Sequence, residues 1–209
     1  MEHSRRLGVI DYGTGNLRSV VKAFEHLEAD VKVYQTPDGL EEMDGIIFPG
    51  QGTYDQCMKS LRLSGLGKFL KTWIESGRPY FGICLGLQVL FERSEEGSSQ
   101  GLCVYPGFVK RFSLESSLKI PHMGWNAVTW NLDDKNPIRS NLNDDDQFYF
   151  VHSYHVSDAH PSLHCFETNY GYPFISGIMD NQCIATQFHP EKSQAKGLQL
   201  YRNFLEKLT

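Results

Sequence analysis

With 209 residues, of which 40% are hydrophobic and 22% charged, the chain has the composition of a folded, water-soluble protein. A chain of this length buries about 70% of the surface it exposes when unfolded, so it needs no disulfides or structural metal to keep a core. Its formal net charge of −5 argues against nucleic acid or an anionic membrane as a partner.

Five cysteines, Cys57, Cys84, Cys103, Cys165 and Cys183, are scattered, odd in number and free of Cys-x-x-Cys spacing. That pattern fits a reducing compartment better than a disulfide framework or a zinc site. The start, MEHSRRLGVIDYG, lacks the apolar core of a secretory leader. No apolar run nears the roughly 20 residues that span a bilayer. A cytoplasmic protein with neither metal nor cofactor is expected.

In chain order, short apolar runs at Leu7–Ile10, Val31–Tyr34, Gly45–Phe48 and Pro79–Ile83 predict buried strands. Between them, Leu17, Val20, Val21, Phe24 and Leu27 recur at helical spacing, as do Leu66, Phe69, Leu70, Trp73 and Ile74. Alternation of this kind predicts an α/β fold, a mostly parallel sheet flanked by helices. After Gln100, strands predicted at Phe108–Phe112, Asn126–Trp130, Phe148–His152, His164–Asn169, Phe174–Met179 and Cys183–Phe188 follow one another closely, which predicts antiparallel or mixed sheet. Exposed loops are expected at Ser94–Gln100 and Asn141–Gln147. A last helix is expected from Ser193 to Leu208, with Leu198, Tyr201, Leu205 and Leu208 on one face. No repeat or linker divides the chain, so residues 1–209 are read as one domain.

The run Gly82-Ile83-Cys84-Leu85-Gly86-Leu87-Gln88 follows an apolar strand and opens a helix-compatible stretch. It is the thiol form of the nucleophile elbow, a sharp strand-to-helix turn that exposes the nucleophile. Its glycines are needed because side chains there would collide with the turn. A helix N-terminus at the sulfur favours thiolate, and the Leu85 N–H is placed to meet an oxyanion. Taken alone, Cys84 is equally well read as a buried structural cysteine.

A thiol nucleophile needs a base, and eight histidines compete. His189 stands out in Gln187-Phe188-His189-Pro190-Glu191-Lys192, where Pro190 ends a strand. In extended chain, residues two apart share a side, so Glu191 can hold the imidazole tautomer that accepts the thiol proton. A surface turn is the alternative for this segment by itself. A metal site built from His152, His155 and His164 lacks ligand spacing. The stretch Phe48-Pro49-Gly50-Gln51-Gly52 has glycines that permit close approach and a peptide flip, so a backbone N–H here is a candidate second oxyanion donor; the alternative is a tight strand–helix turn.

Together these stretches resemble the class I (triad) glutamine amidotransferases. The resemblance extends to the glutaminase subunits of imidazole glycerol phosphate synthases through Asp11-Tyr-Gly-Thr-Gly-Asn-Leu17, Pro121-His-Met-Gly-Trp-Asn126, Tyr149-Phe-Val-His-Ser-Tyr154 and Asn169-Tyr-Gly171. It implies a flavodoxin-like class I glutamine amidotransferase fold and a (β/α)8-barrel cyclase partner in a heterodimer. The implied chemistry is glutamine hydrolysis by Cys84, His189 and Glu191, with the ammonia passed on for histidine biosynthesis. It further implies that Gln88, His152, Ser153 and Tyr154 bind glutamine, and that Trp125, Tyr149 and Lys192 face the cyclase. The family usually carries valine where this chain has Gln51. That departure bears on how the Gly50–Gly52 peptide reorients, and leaves a paralogue feeding another synthase as an alternative, beside a related cysteine hydrolase.

Overall fold

The computed structural model describes residues 4–13, 17–114, 118–160 and 162–208. Residues 14–16, within the Asp11–Leu17 stretch, lie outside them. The first half alternates as expected: β1 (Arg6–Ile10), α1 (Leu17–His26), β2 (Asp30–Tyr34), β3 (Gly45–Gly50), α2 (Tyr54–Ser64), α3 (Leu66–Glu75), β4 (Tyr80–Cys84) and the single turn α4 (Leu85–Gln88). Helix α2, with Tyr54, Cys57, Met58 and Leu61 buried, adds to the elements expected from the sequence.

The second half holds β5 (Arg93–Ser94), β6 (Phe108–Arg111), β7 (His122–Ala127), β8 (Gln147–His152), β9 (Tyr154–Ser157), β10 (His164–Asn169), β11 (Pro173–Asp180), β12 (Cys183–Thr186) and α5 (Gln194–Lys207). The strand expected at Asn126–Trp130 instead begins at His122 and ends at Ala127. Beyond it Val128 and Trp130 turn into the core, and Thr129 makes only an isolated bridge to Glu167.

One ten-stranded sheet runs β2-β1-β3-β4-β12-β11-β9-β6-β5, with β10 paired to β11. Its first five strands are parallel, in the flavodoxin-like order, and antiparallel pairs β12–β11, β11–β9 and β9–β6 extend it. Period-two alternation assigns each strand residue to one face. Ile46, Phe48 and Tyr80 pack with α2 and α3, while Leu7, Val9, Ile47, Phe81 and Ile83 pack with α1 and α5. Helices therefore cover both faces, leaving the carboxyl ends of β3, β4 and β12 side by side at one edge. That is where open α/β sheets place their ligands.

Strands β7 and β8 form a separate antiparallel ribbon. Its inner face carries His122, Phe148, Phe150 and His152, all buried; its outer face exposes Met123 and Trp125.

Candidate active site

Strand β4 ends at Cys84, where the backbone takes φ 54° and ψ −102°. A side-chain-bearing residue rarely adopts that conformation, and such strain concentrates at functional turns. Three glycines make the turn possible. A β-carbon on Gly86 would lie 2.1 Å from the Phe48 carbonyl oxygen, one on Gly82 2.5 Å from the Gly86 oxygen, and one on Gly50 2.4 Å from Leu85 Cβ. Strands β3 and β4 thus approach α4 more closely than any side chain allows. Because α4 is one turn, the extended helix dipole expected at the sulfur is absent. Leu85, its first residue, still has an N–H without an intrahelical acceptor.

His189 follows β12, beside β4. Its Nδ1 donates to Glu191 Oε1 at 2.8 Å, and both side chains are almost fully buried. The sequence predicts this pair in extended chain; Glu191 instead sits in a 3-10 turn, Pro190–Lys192. The turn brings the same two groups together. The Tyr201 hydroxyl lies 3.5 Å from the other carboxylate oxygen. His189 Nε2 is buried with no partner in hydrogen-bond geometry. Burial pushes the imidazole pKa down, but the neighbouring Cys84 sulfur and the Glu191 carboxylate outweigh it and raise it to about 9. At neutral pH that imidazole is a cation beside the sulfur.

The base is also tied to the ribbon. His189 N–H donates to the Tyr149 carbonyl at 2.9 Å, Tyr149 N–H donates to Ser193 Oγ at 2.9 Å, and the Ser193 hydroxyl donates to the His189 carbonyl at 2.7 Å. Ser193 is buried in this loop of bonds, and no pattern in the sequence marks it.

A cavity of about 410 Å3 opens over Cys84, within the range of small-molecule sites. Gly50, Gln51 and Gly52 line it from the end of β3, Leu85 and Gln88 from α4, and His152, Ser153 and Tyr154 from the β8–β9 corner, with His189 and Lys192. Glu191 stands behind His189, outside this cavity. Trp125 and Tyr149 are also outside it, paired across the ribbon with ring centroids 6.0 Å apart. Lys192 Nζ sits 5.9 Å from the Tyr149 ring.

The second oxyanion donor departs from expectation. Gln51 N–H is donated to the Tyr12 hydroxyl at 2.6 Å, so in this conformation it serves Tyr12.

Two further residues reach the site. Glu96 lines the cavity and accepts the N–H of Tyr54, the first residue of α2, at 3.0 Å. In return the Asp55 carboxylate accepts the N–H of Ser99 at 2.8 Å. The segment expected to be an exposed loop is thus clasped to a helix start, where backbone N–H groups favour a carboxylate. Gln187, fully buried, directs its side-chain amide at Cys84 Sγ, 3.5 Å away.

The doubly wound sheet finds its counterpart in known proteins. Residues 8–208 match the family model for glutamine amidotransferase class-I, and the chain belongs to that family. Among curated relatives it is 45% identical, over 96% of its length and 92% of the relative's, to imidazole glycerol phosphate synthase subunit HisH of Synechococcus sp. (strain JA-2-3B'a(2-13)). The protein of the same name from Thiobacillus denitrificans (strain ATCC 25259 / T1) is 44% identical, over 95% and 90%. Among solved structures, PurLQS from Thermotoga maritima matches with TM-score 0.76 at 17% identity, over 99% of this chain and 100% of that one. A glutamine amidotransferase (tm1158) from Thermotoga maritima matches with TM-score 0.65 at 17% identity, over 99% of each chain. Both are likenesses of fold.

Proposed function

We propose that this chain is the glutaminase subunit of an imidazole glycerol phosphate synthase: it hydrolyses glutamine to glutamate and ammonia and hands the ammonia to a cyclase. The observation that carries the reading is the Cys84 elbow facing a His189 whose Nδ1 is held by Glu191 at 2.8 Å. Near-full-length identity to HisH subunits supports the histidine pathway.

The Cys84 thiolate attacks the side-chain amide carbon of glutamine. Backbone N–H groups of Leu85 and, once the peptide has turned from Tyr12, of the Gly50–Gly52 segment hold the oxyanion, at about 3 kcal/mol per donor. His189, already protonated, gives its proton to the departing nitrogen, so ammonia leaves and a glutamyl thioester remains. Neutral His189 then takes a proton from water, hydroxide adds to the thioester carbonyl, and glutamate departs as the thiolate is restored. Glutamine lies with its amide at Cys84 and its head group against Gln88, His152, Ser153 and Tyr154. The Glu96 carboxylate, which lines the cavity, meets its ammonium group.

The exposed outer face of the ribbon, with Met123 61% and Trp125 47% accessible, supports a docking role for Trp125, Tyr149 and Lys192 against a (β/α)8-barrel cyclase in a heterodimer. Ammonia passed there, shielded from protonation in bulk water, is used to form imidazole glycerol phosphate and the aminoimidazole carboxamide ribotide. The chain acts as one domain in the cytoplasm. All five cysteines are free, and among the described residues no helix is long and apolar enough to cross a membrane.

The test is Cys84→Ala, assayed with the cyclase. Glutamine-dependent synthesis is lost, and synthesis from added ammonium salt persists. Retained glutamine use by the variant refutes Cys84 as nucleophile.

A further inference from the structure

Gln187 is the residue after β12, and its backbone N–H continues the ladder by donating to the Ser176 carbonyl at 2.8 Å. Along this segment side chains alternate. Phe188 goes into the core beside α5, while Gln187 and His189 both turn towards Cys84. Gln187 is wholly buried yet reaches the one sulfur that the chemistry uses.

Its amide has one orientation consistent with its partners. The Tyr154 carbonyl, which can only accept, takes bonds from Gln88 Nε2 at 3.2 Å and from His152 Nδ1 at 2.7 Å. Gln88 therefore presents its NH2 group on that side, and the same nitrogen donates to Gln187 Oε1 at 3.0 Å. With its oxygen so engaged, Gln187 turns its own NH2 to Cys84 Sγ at 3.5 Å. A flipped amide would set NH2 against NH2 at Gln88 and a carbonyl oxygen against the sulfur. The donor is held at both ends, by a strand and by α4.

We propose that Gln187 is a further catalytic residue of this site, whose amide donates to the Cys84 sulfur and keeps it an oriented thiolate. The inference rests on Cys84 being the nucleophile. A neutral donor suits this task. It stabilises negative sulfur without titrating, and it does not compete with His189 for the proton that must reach the leaving nitrogen. The bond to sulfur weakens once the thioester forms and returns when glutamate leaves.

The test compares wild type with Gln187→Met, which keeps the volume and removes the donor, and with Gln187→Glu, which replaces the donor by an acceptor of the same shape. Iodoacetamide alkylation of Cys84, followed by mass spectrometry of its peptide, is measured across pH in the isolated full chain. The midpoint rises about one pH unit in Gln187→Met, a tenfold loss of thiolate below it, and further in Gln187→Glu. Glutaminase kcat falls about tenfold with KM little changed. Midpoints and kcat unchanged in both variants overturn the proposal. Where a variant does not fold, the wild-type protein decides. In its nitrogen-15 NMR spectrum the Gln187 side-chain amide shifts at the Cys84 alkylation midpoint, and the shift disappears in Cys84→Ala; a pH-independent amide signal overturns the proposal. Failure of the underlying reading is distinguishable, because Cys84→Ala would then keep glutaminase activity.

Discussion

The Tyr12 hydroxyl accepts the backbone N–H of Gln51 at 2.6 Å and so keeps that N–H, between the two glycines at the β3 end, on a residue that does not line the cavity. Tyr12 is itself anchored, buried against Phe48 and with its carbonyl taking the Ser60 hydroxyl at 2.7 Å. In the proposed mechanism this segment supplies the second oxyanion donor, so glutamine hydrolysis is expected to be slow until the peptide turns. The latch costs the active conformation about one hydrogen bond, on the order of 1 kcal/mol. Tyr12→Phe is therefore expected to raise glutamate release by the isolated chain roughly three- to tenfold, with little effect on the rate when the cyclase and its ligand are bound. An unchanged basal rate in Tyr12→Phe excludes the latch.

Glu191 sets both the direction and the charge of His189. In Glu191→Gln the Nδ1 partner is no longer a carboxylate, and the balance tips towards burial, which lowers the imidazole pKa. Turnover is expected to drop by about ten-thousandfold, as when a triad acid becomes an amide. In the wild type, kcat/KM for glutamine declines as pH rises through about 9, because deprotonated His189 cannot supply the leaving group's proton. The pH profile of the variant shows that decline at lower pH. A wild-type profile flat beyond about pH 10 would separate His189 from the acid role.

The elbow and the triad segment were readable because the constraints there are local. Gly82, Cys84 and Gly86 lie within five residues, and the clash that Gly82 avoids is with Gly86 in the same turn, although the one that Gly86 avoids is with Phe48 on β3. Of the four parallel strands of the first half, β1, β3 and β4 were equally plain, being apolar on both faces as a covered sheet requires, while the edge strand β2 carries Lys32 between Val31 and Val33. Helix α2 also has a signature, since Tyr54, Cys57, Met58 and Leu61 stand at helical spacing directly after the Gly50–Gly52 turn. Glu96 has none. Its place depends on a reciprocal clasp between a polar segment and α2, a pairing 42 residues apart with no periodic pattern. The ribbon's true start at His122 was hidden too, because its inner face is lined by His122 and Asn126 rather than by aliphatic residues. Gln187 sits between: it shares a side with His189, yet that its amide meets the sulfur depends on Gln88, 99 residues away in sequence.

The packing at the elbow yields a stability contrast. In Gly86→Ala the new methyl would sit 2.1 Å from the Phe48 backbone oxygen, which belongs to a central strand and has no room to yield. The expected loss is about 3 kcal/mol or more. Gly67, inside α3, is different: its β-carbon would meet neighbours at 3.4 Å and beyond, and alanine is the better helix former by roughly 0.5–1 kcal/mol. Urea unfolding is expected to show a large drop in midpoint for Gly86→Ala and none for Gly67→Ala. Equal midpoints for the two would mean that α4 can move off β3.

Stability should also respond to pH in two opposite ways around one value. Burial lowers His122 to about 4 and pushes His152 well below its ordinary range. They are neutral in a chain of bonds, Asn126 to His122, His122 to His152 at 3.1 Å, and His152 to the Tyr154 carbonyl. The unfolded chain binds protons at these histidines below about pH 6.5 while the folded one does not. Stability is therefore full above about 6.5 and falls as pH drops towards about 4. His189 has the opposite sign. Its raised pKa makes the folded state hold the extra proton, a contribution complete below about 6.5 and lost as pH rises through about 9. Urea midpoints measured at half-unit steps should peak near about pH 6.5 and decline on both sides. The His189→Asn variant should lose the decline between about 6.5 and 8.5, below the range where the buried thiols Cys57 and Cys183 ionise on unfolding, and keep the acid one. Midpoints constant from about pH 8 down to about 5 would mean that the folded protein protonates the ribbon histidines as readily as the unfolded chain does, which the burial of His122 against Phe150 and Tyr170, and of His152 against Phe150, opposes.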